Sequence, residues 1–165
     1  MNDFIVVGAG SSGCVVANRL SANKNVSVAL IEAGSRDSSP WIHIPIGYFR
    51  TIKNPSVNWM YKTEEDPGLN GRSINWPRGK TLGGTSSING LLYVRGQQQD
   101  YDGWAQRGNS GWSWREVLPY FKKSENWKGP QSTHRGSSGP LTINESESTW
   151  PIVDAWIKAA QNGGF

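Results

Sequence analysis

Apolar residues are unevenly spread along this chain, and the densest patterning lies in residues 3–34. Phe4-Ile5-Val6-Val7 is a short apolar, β-rich run that reads as a buried strand. Gly8-Ala9-Gly10-Ser11-Ser12-Gly13 follows at once, and Val15, Val16, Ala17 and Leu20 then fall at spacings that suit one face of a helix. Ser27-Val28-Ala29-Leu30-Ile31 is a second apolar strand, and it ends on Glu32. The order strand, glycine turn, helix, strand, acid predicts a βαβ unit over residues 3–34.

After that unit the pattern loosens. Ser35 to Pro40 is a polar loop, and Trp41 to Ile52 is apolar but interrupted by Pro40 and Pro45, which predicts irregular chain or a single helical turn. Asn58–Lys62 and Arg72–Trp76 read as two short strands of a loose hairpin, with turn signals at Glu64–Gly68 and Asn70-Gly71 between them. Ile88, Leu91 and Leu92 resume an apolar face, with Ser86 or Ser87 available to cap a helix there. A short helix begins at Asp100–Ala105, and Ser113-Trp114-Arg115-Glu116 has capping-box form ahead of a helix ending near Lys123. Ser124 to Gly139 reads as a polar surface loop and Leu141-Thr142-Ile143 as a strand. A last helix, capped by Thr149 with Pro151 in its first turn, runs through Ala160. Trp112 and Trp114 are expected to be packing anchors.

Composition narrows the class. At 165 residues the chain is one domain's worth, enough for a sizeable core; its hydrophobic fraction is 36%, with nine Trp adding apolar area. Net charge is +4, and no basic run exceeds Lys122-Lys123, so no nucleic-acid partner is expected. Cys14 is the sole cysteine, which fits a reducing compartment and a small packed role. No stretch is apolar enough to span a membrane, and with no leader before the first strand a cytoplasmic location is expected. The chain stops at Asn162–Phe165 just after a helical pattern and without a closing strand, so it reads as cut.

The candidate chemistry starts in the glycine turn. G-x-G-x-x-G between a strand and a helix is the form of a dinucleotide-binding turn. Gly8 permits the sharp exit from the strand, Gly10 leaves room for a pyrophosphate, and Gly13 lets helix and sheet pack closely. Free N–H groups at the helix start, with the positive end of its dipole, face the phosphates. Glu32 lies nineteen residues past Gly13, near the roughly 20 at which an acid reaches ribose hydroxyls. A carboxylate there favours a free 2′-OH over a 2′-phosphate.

The second dense stretch is Pro77-Arg78-Gly79-Lys80-Thr81-Leu82-Gly83-Gly84-Thr85-Ser86-Ser87-Ile88-Asn89-Gly90. Its small residues allow a flat or anionic ligand to approach closely, and on physics alone it is either a second cofactor contact or a flexible loop. It is not a phosphate-binding P-loop, because Lys80 precedes the glycine pair. His43 has no partner the sequence can name, and His134, in a Gly- and Ser-rich loop, reads as solvated.

Taken together, these residues resemble the glucose–methanol–choline (GMC) oxidoreductases, FAD-dependent alcohol dehydrogenases and oxidases. Gly79 to Asn89, then Tyr93, Gly96 and Asp102, is similar to that family's first signature. Asp100–Trp104, Gly111–Trp114 and Val117–Glu125 are similar to the segments that follow it, above all in choline-dehydrogenase-like members. The resemblance implies an α/β fold: a Rossmann-like FAD-binding domain with its βαβ unit at 3–34 and flavin-site signature at 78–102, and the start of a substrate domain from about 124. It implies that Gly8, Gly10, Ser12 and Gly13 hold the FAD pyrophosphate and that Glu32 with Ala33 takes the adenosine side. Leu82, Gly84, Thr85, Asn89, Gly90 and Leu92 would line the pyrophosphate-to-flavin half.

Ile88 stands where members with a histidyl-FAD bond carry the histidine, so non-covalent FAD is expected. The family's catalytic His and its partner lie far downstream, so no catalytic residue is expected in this chain, and the fragment alone is expected to be inactive. The implied substrate is a small-molecule alcohol, giving its hydride to flavin N5; neither the alcohol nor the electron acceptor can be read. Three other readings stay open: a nicotinamide-dependent dehydrogenase, an FAD-containing hydroxynitrile lyase on the same scaffold, and a non-catalytic FAD-binding fragment.

Overall fold

The computed structural model describes residues 1–145 and 150–164, which pack as two compact units, Met1–Leu92 and Tyr93–Phe165. In the first unit β1 (Phe4–Val7), α1 (Ser11–Leu20) and β2 (Val28–Ile31) form the expected βαβ unit. β1 and β2 pair in parallel, with Phe4 opposite Val28 and Val7 opposite Ile31. The Asp3 carboxylate accepts the N–H and O–H of Ser27 at 2.8 and 2.6 Å, which ties the strand starts together and lowers its pKa.

The expectation of a sizeable core is not met. Among the described residues, the buried apolar ones are Ala9, Ala17, Val57 and Ile88 in this unit and Tyr101 and Ile143 in the other. Of the helix positions Val15, Val16, Ala17 and Leu20, only Ala17 is buried. The accessible surface is 12884 Å², against about 8,100 Å² for a typical monomer of this mass. A two-stranded sheet with one helix has too few layers to cover its own apolar faces, and Ile5, Val7 and Ile31 stay exposed.

Residues 40–51 are more helical than their prolines suggest. α2 (Pro40–His43), a 3₁₀ turn at Pro45–Gly47 and α3 (Tyr48–Thr51) follow one another. Each proline opens a turn, where its missing N–H would have had no helical partner anyway, so it starts the helix instead of breaking it. The hairpin is present but short: β3 (Tyr61–Lys62) pairs antiparallel with β4 (Asn75–Trp76). Asp66 caps a 3₁₀ turn by accepting the Gly68 N–H at 2.7 Å, and Asn70 and Gly71 take φ of 58° and 71° to close the loop. Buried Asn58 fixes the base of the hairpin: its amide donates to the Ile52 carbonyl at 2.7 Å while Oδ1 accepts the N–H groups of Met60 and Arg78.

In the second unit α4 (Gln98–Gln106) starts two residues before the expected point, with Asp100 the third residue of a capping box whose cap is Gln97. α5 (Trp114–Ser124) opens on the expected Ser113–Glu116 box, whose hydrogen bonds from Ser113 lower the Glu116 pKa. Tyr101 packs against Trp104, Trp114 and Phe121, so Trp114 is an anchor. Trp112 is half exposed and meets the edge of Trp104, a lesser role than the one expected.

The expected loop from Ser124 to Gly139 instead begins with a strand. β5 (Glu125–Trp127) pairs in parallel with β6 (Leu141–Ile143). The Glu125 carboxylate, fully buried, accepts the Gly136 N–H at 2.8 Å and pairs with Arg95 Nη2 at 2.6 Å and Arg135 Nη1 at 3.3 Å. Burial pushes its pKa up, but Gly136 and the two guanidinium groups outweigh burial and hold it below the ordinary value. α6 (Pro151–Asn162) has Trp150 as its N-cap residue. The cap expected at Thr149 lies outside the described residues. Among the described residues no helix is long and apolar enough to cross a membrane.

Candidate nucleotide-binding site

The site is built where β1 gives way to α1. Gly8 takes φ of +91° and donates its N–H to the Ile31 carbonyl at 2.7 Å, so the turn is pinned to the end of β2. Ala9, wholly buried, donates its N–H to Glu32 Oε2 at 2.8 Å, and the other oxygen of Glu32 accepts the Gly34 N–H at 2.9 Å. The acid therefore braces the turn from the adjoining strand. The Ala9 carbonyl in turn accepts the Cys14 thiol at 3.2 Å, which gives that cysteine its packed place.

α1 starts with Gly10 as its cap residue, with no side-chain cap and no acid in its first turn. Its leading N–H groups are left for an outside anion, and no carboxylate offsets the positive end of the dipole. Two of the glycines do different jobs. A Cβ on Gly13 would stand 1.9 Å from the Gly8 carbonyl oxygen, so this glycine lets the helix press on the turn. A Cβ on Gly10 would meet nothing within 4 Å; it faces open space beside the helix start, where a pyrophosphate has room.

The second dense stretch folds back onto the first. Thr81, buried, donates its hydroxyl to the Ser35 carbonyl at 3.0 Å, and the Leu82 N–H reaches the same oxygen at 2.9 Å. The Gly83 N–H then donates to the Ala9 carbonyl at 2.8 Å. Gly84, at φ +59°, comes so close that a Cβ there would lie 2.8 Å from Gly10 Cα. This is backbone laid on backbone, so the stretch is a fixed part of the glycine turn's surroundings and not a free loop.

The helix expected after Ser86 and Ser87 is absent. Gly84–Ser87 is a single 3₁₀ turn, and both serines bond back into it, to the carbonyls of Gly83 and Leu82 at 2.7 and 2.8 Å. The pull of Gly84 against Gly10 uses the residues that would have started a helix. Ile88 beyond it is buried at 1% exposure.

Direct contacts thus bring Gly8, Gly10, Gly13, Glu32 and Gly84 together. Ser12, Ala33, Leu82 and Thr85 lie on the same two segments and are exposed. Asn89, Gly90 and Leu92 are exposed beyond the 3₁₀ turn, with no hydrogen bond to the glycine turn among the described residues. Sequence reasoning missed Ala9, whose N–H and carbonyl both serve the site, and the Ser35–Thr81 bridge. It also missed Tyr48, whose ring is 4.0 Å from where a Gly90 Cβ would be. Gly34 was the available signal for the bridge: a Cβ there would lie 2.0 Å from the Lys80 carbonyl. His43 has a partner after all, with Nε2 at 2.6 Å from the Asp37 carbonyl, and His134 is exposed as expected.

An uncapped helix start, open space at Gly10 and a carboxylate at the end of β2 suit a dinucleotide with free ribose hydroxyls. The family model for GMC oxidoreductases matches residues 2–165. The chain belongs to the GMC oxidoreductase family. Among its relatives, an alcohol dehydrogenase [acceptor] of Pseudomonas putida is 44% identical over all of this chain and 31% of its own length. An oxygen-dependent choline dehydrogenase of Photobacterium profundum is 44% identical over 99% of this chain and 29% of its own. The crystal structure of pyridoxine 4-oxidase from Mesorbium loti superposes with a TM-score of 0.90 at 34% identity, over 98% of this chain and 32% of that one. The chain therefore spans about a third of the length of these proteins.

Proposed function

We propose that this chain is the nucleotide-binding N-terminal part of an FAD-dependent oxidoreductase that acts on the CH–OH group of an alcohol. The observation that carries the reading is the seating of Gly83 and Gly84 on Ala9 and Gly10, directly beside the carboxylate of Glu32. It brings the uncapped helix start, the acid that ends β2 and the second glycine stretch side by side. In this reading Gly8, Gly10, Ser12 and Gly13 hold the pyrophosphate through backbone N–H groups, and Glu32 with Ala33 orients the adenosine ribose. Leu82, Gly84, Thr85, Asn89, Gly90 and Leu92 line the half toward the flavin ring. When bound, FAD supplies N5 as the acceptor of the alcohol's hydride.

The buried, apolar Ile88 supports non-covalent binding, because it offers no nucleophile for a histidyl-type link. The names of the relatives support an alcohol donor. The βαβ unit and the stretch 78–102 belong to the FAD-binding domain in this proposal, with the substrate domain starting from about residue 124. General-base help with the hydroxyl proton comes from a histidine outside this chain, since His43 is engaged by backbone and His134 lies exposed in a loop. The test is anaerobic addition of a panel of primary alcohols, choline among them, to the complete FAD-loaded enzyme. Bleaching of the flavin absorbance by at least one is expected. A flavin that stays oxidised with all of them while the protein cleaves a cyanohydrin would replace this reading with a lyase.

A further inference from the structure

The sequence contains three Asn-Gly pairs, Asn70–Gly71, Asn89–Gly90 and Asn162–Gly163. In each the glycine, lacking a Cβ, leaves its backbone nitrogen open to approach by the preceding side-chain amide. What separates them is whether that nitrogen is already engaged. The Gly71 N–H donates to the Asp66 carbonyl at 3.0 Å, and the Gly163 N–H is shared by the carbonyls of Ala159 and Ala160, both at 3.0 Å. The Gly90 N–H meets no acceptor among the described residues.

Asn89 is placed to use that freedom. It is exposed, outside any helix or strand, and its Oδ1 accepts the Leu91 N–H at 3.1 Å. This turn bends the side-chain amide back across the Gly90 peptide, and the donated hydrogen bond draws electron density from Cγ. Leu91 holds φ of +62°, which fixes the bend from the far side. Asn162, by contrast, is in the last turn of α6, whose helical backbone must unwind before a five-membered ring can close.

We infer that Asn89 is a self-modification site, converted spontaneously through attack of the Gly90 backbone nitrogen on the Asn89 side-chain amide. The new bond joins Gly90 N to Asn89 Cγ, and the Cγ–Nδ2 bond breaks. Ammonia departs with the proton that Gly90 N loses. Water then opens the cyclic imide at either carbonyl, leaving aspartate or isoaspartate; nothing is oxidised or reduced. On the flavin reading above, this puts a negative charge into the segment that lines the pyrophosphate-to-flavin half.

The experiment incubates the complete polypeptide, freed of bound nucleotide, at mildly alkaline pH and follows all three asparagines by peptide mass spectrometry. Losing one backbone hydrogen bond slows the two engaged sites, so Asn89 should convert roughly two- to tenfold faster than Asn70 or Asn162. Gly90→Ala should bring Asn89 down to the rate of Asn70, and the added Cβ fits, since it meets only the Tyr48 ring at 4.0 Å. Conversion of Asn70 or Asn162 as fast as Asn89, or an unmodified Asn89, would overturn the inference. Because the rates are read without FAD, failure of the flavin reading, seen as no FAD binding by fresh protein, shows separately.

Discussion

Glu32 Oε2 lies 2.8 Å from the backbone nitrogen of Ala9 and accepts its hydrogen, so the acid ending β2 also holds the glycine turn that follows β1. Its second oxygen takes the Gly34 N–H, so both oxygens are held in place by backbone donors. One hydrogen bond to a charged group is worth about 1.5–3 kcal/mol, which sets the loss of FAD affinity for Glu32→Ala at roughly ten- to a hundredfold. Glu32→Gln keeps one acceptor oxygen and should fall between the two. Titration of the complete apoenzyme with FAD measures both, and full retention by the alanine variant would remove Glu32 from the site.

Gly10 and Gly13 separate binding from folding. Gly13→Ala drives a methyl into the Gly8 carbonyl and should destabilise the protein by about 1–3 kcal/mol, read as a lower Tm. Gly10→Ala points its methyl into open space, so Tm of the nucleotide-free protein should hold within about 0.5 kcal/mol equivalent while FAD binding is lost. Equal damage to Tm from both changes would contradict the geometry.

Non-covalent attachment has a simple readout. Ile88 is buried and unreactive. Acid precipitation of the FAD-loaded enzyme should leave the yellow colour in the supernatant, and flavin retained in the pellet would show a covalent link.

The buried Glu125 gives the second unit a pH dependence. Its native pKa is below the ordinary 4.5, because Gly136, Arg95 and Arg135 together outweigh the effect of burial. A carboxylate so held contributes its full stability above about 4.5 and loses it as pH falls through the lower native value. Glu125→Ala should cost about 3 kcal/mol at neutral pH, the low end for a broken buried pair, since Arg135 is partly solvated. In urea unfolding followed by tryptophan fluorescence, the gap between wild type and Glu125→Gln should narrow as pH drops below about 4.5. A gap that stays constant through acid pH would rule out this role.

The same residue shows where the sequence was hard to read. β1, α1, β2 and Glu32 were legible because each is specified locally, by an apolar run, a glycine turn or a single acid at a set distance. The capping box at Ser113 and Glu116 was legible for the same reason. Glu125-Asn126-Trp127 has no apolar alternation; it is a strand through its ladder with β6, and its carboxylate meets Arg95, thirty residues earlier in the chain. The helix expected after Ser87 failed in a similar way. Its local pattern favoured a helix start, but Gly84 was already committed to Gly10. Within the site, the acid and the glycines could be named from the sequence, while Ala9, Ser35 and Thr81, which act through their backbone or as spacers, carry no chemical label that would single them out.

The bond from Gly83 to Ala9 also sets an order of events during synthesis. The first glycine turn is made early, but the segment that covers it emerges only after the helical turns at 40–51 and the whole hairpin. Until then the glycine turn is held only from β2, through Ile31 and Glu32. Closing such a distant contact is slow compared with forming a local helix. The glycine turn should therefore reach its final surroundings late, and cofactor loading should follow the arrival of residues 79–87.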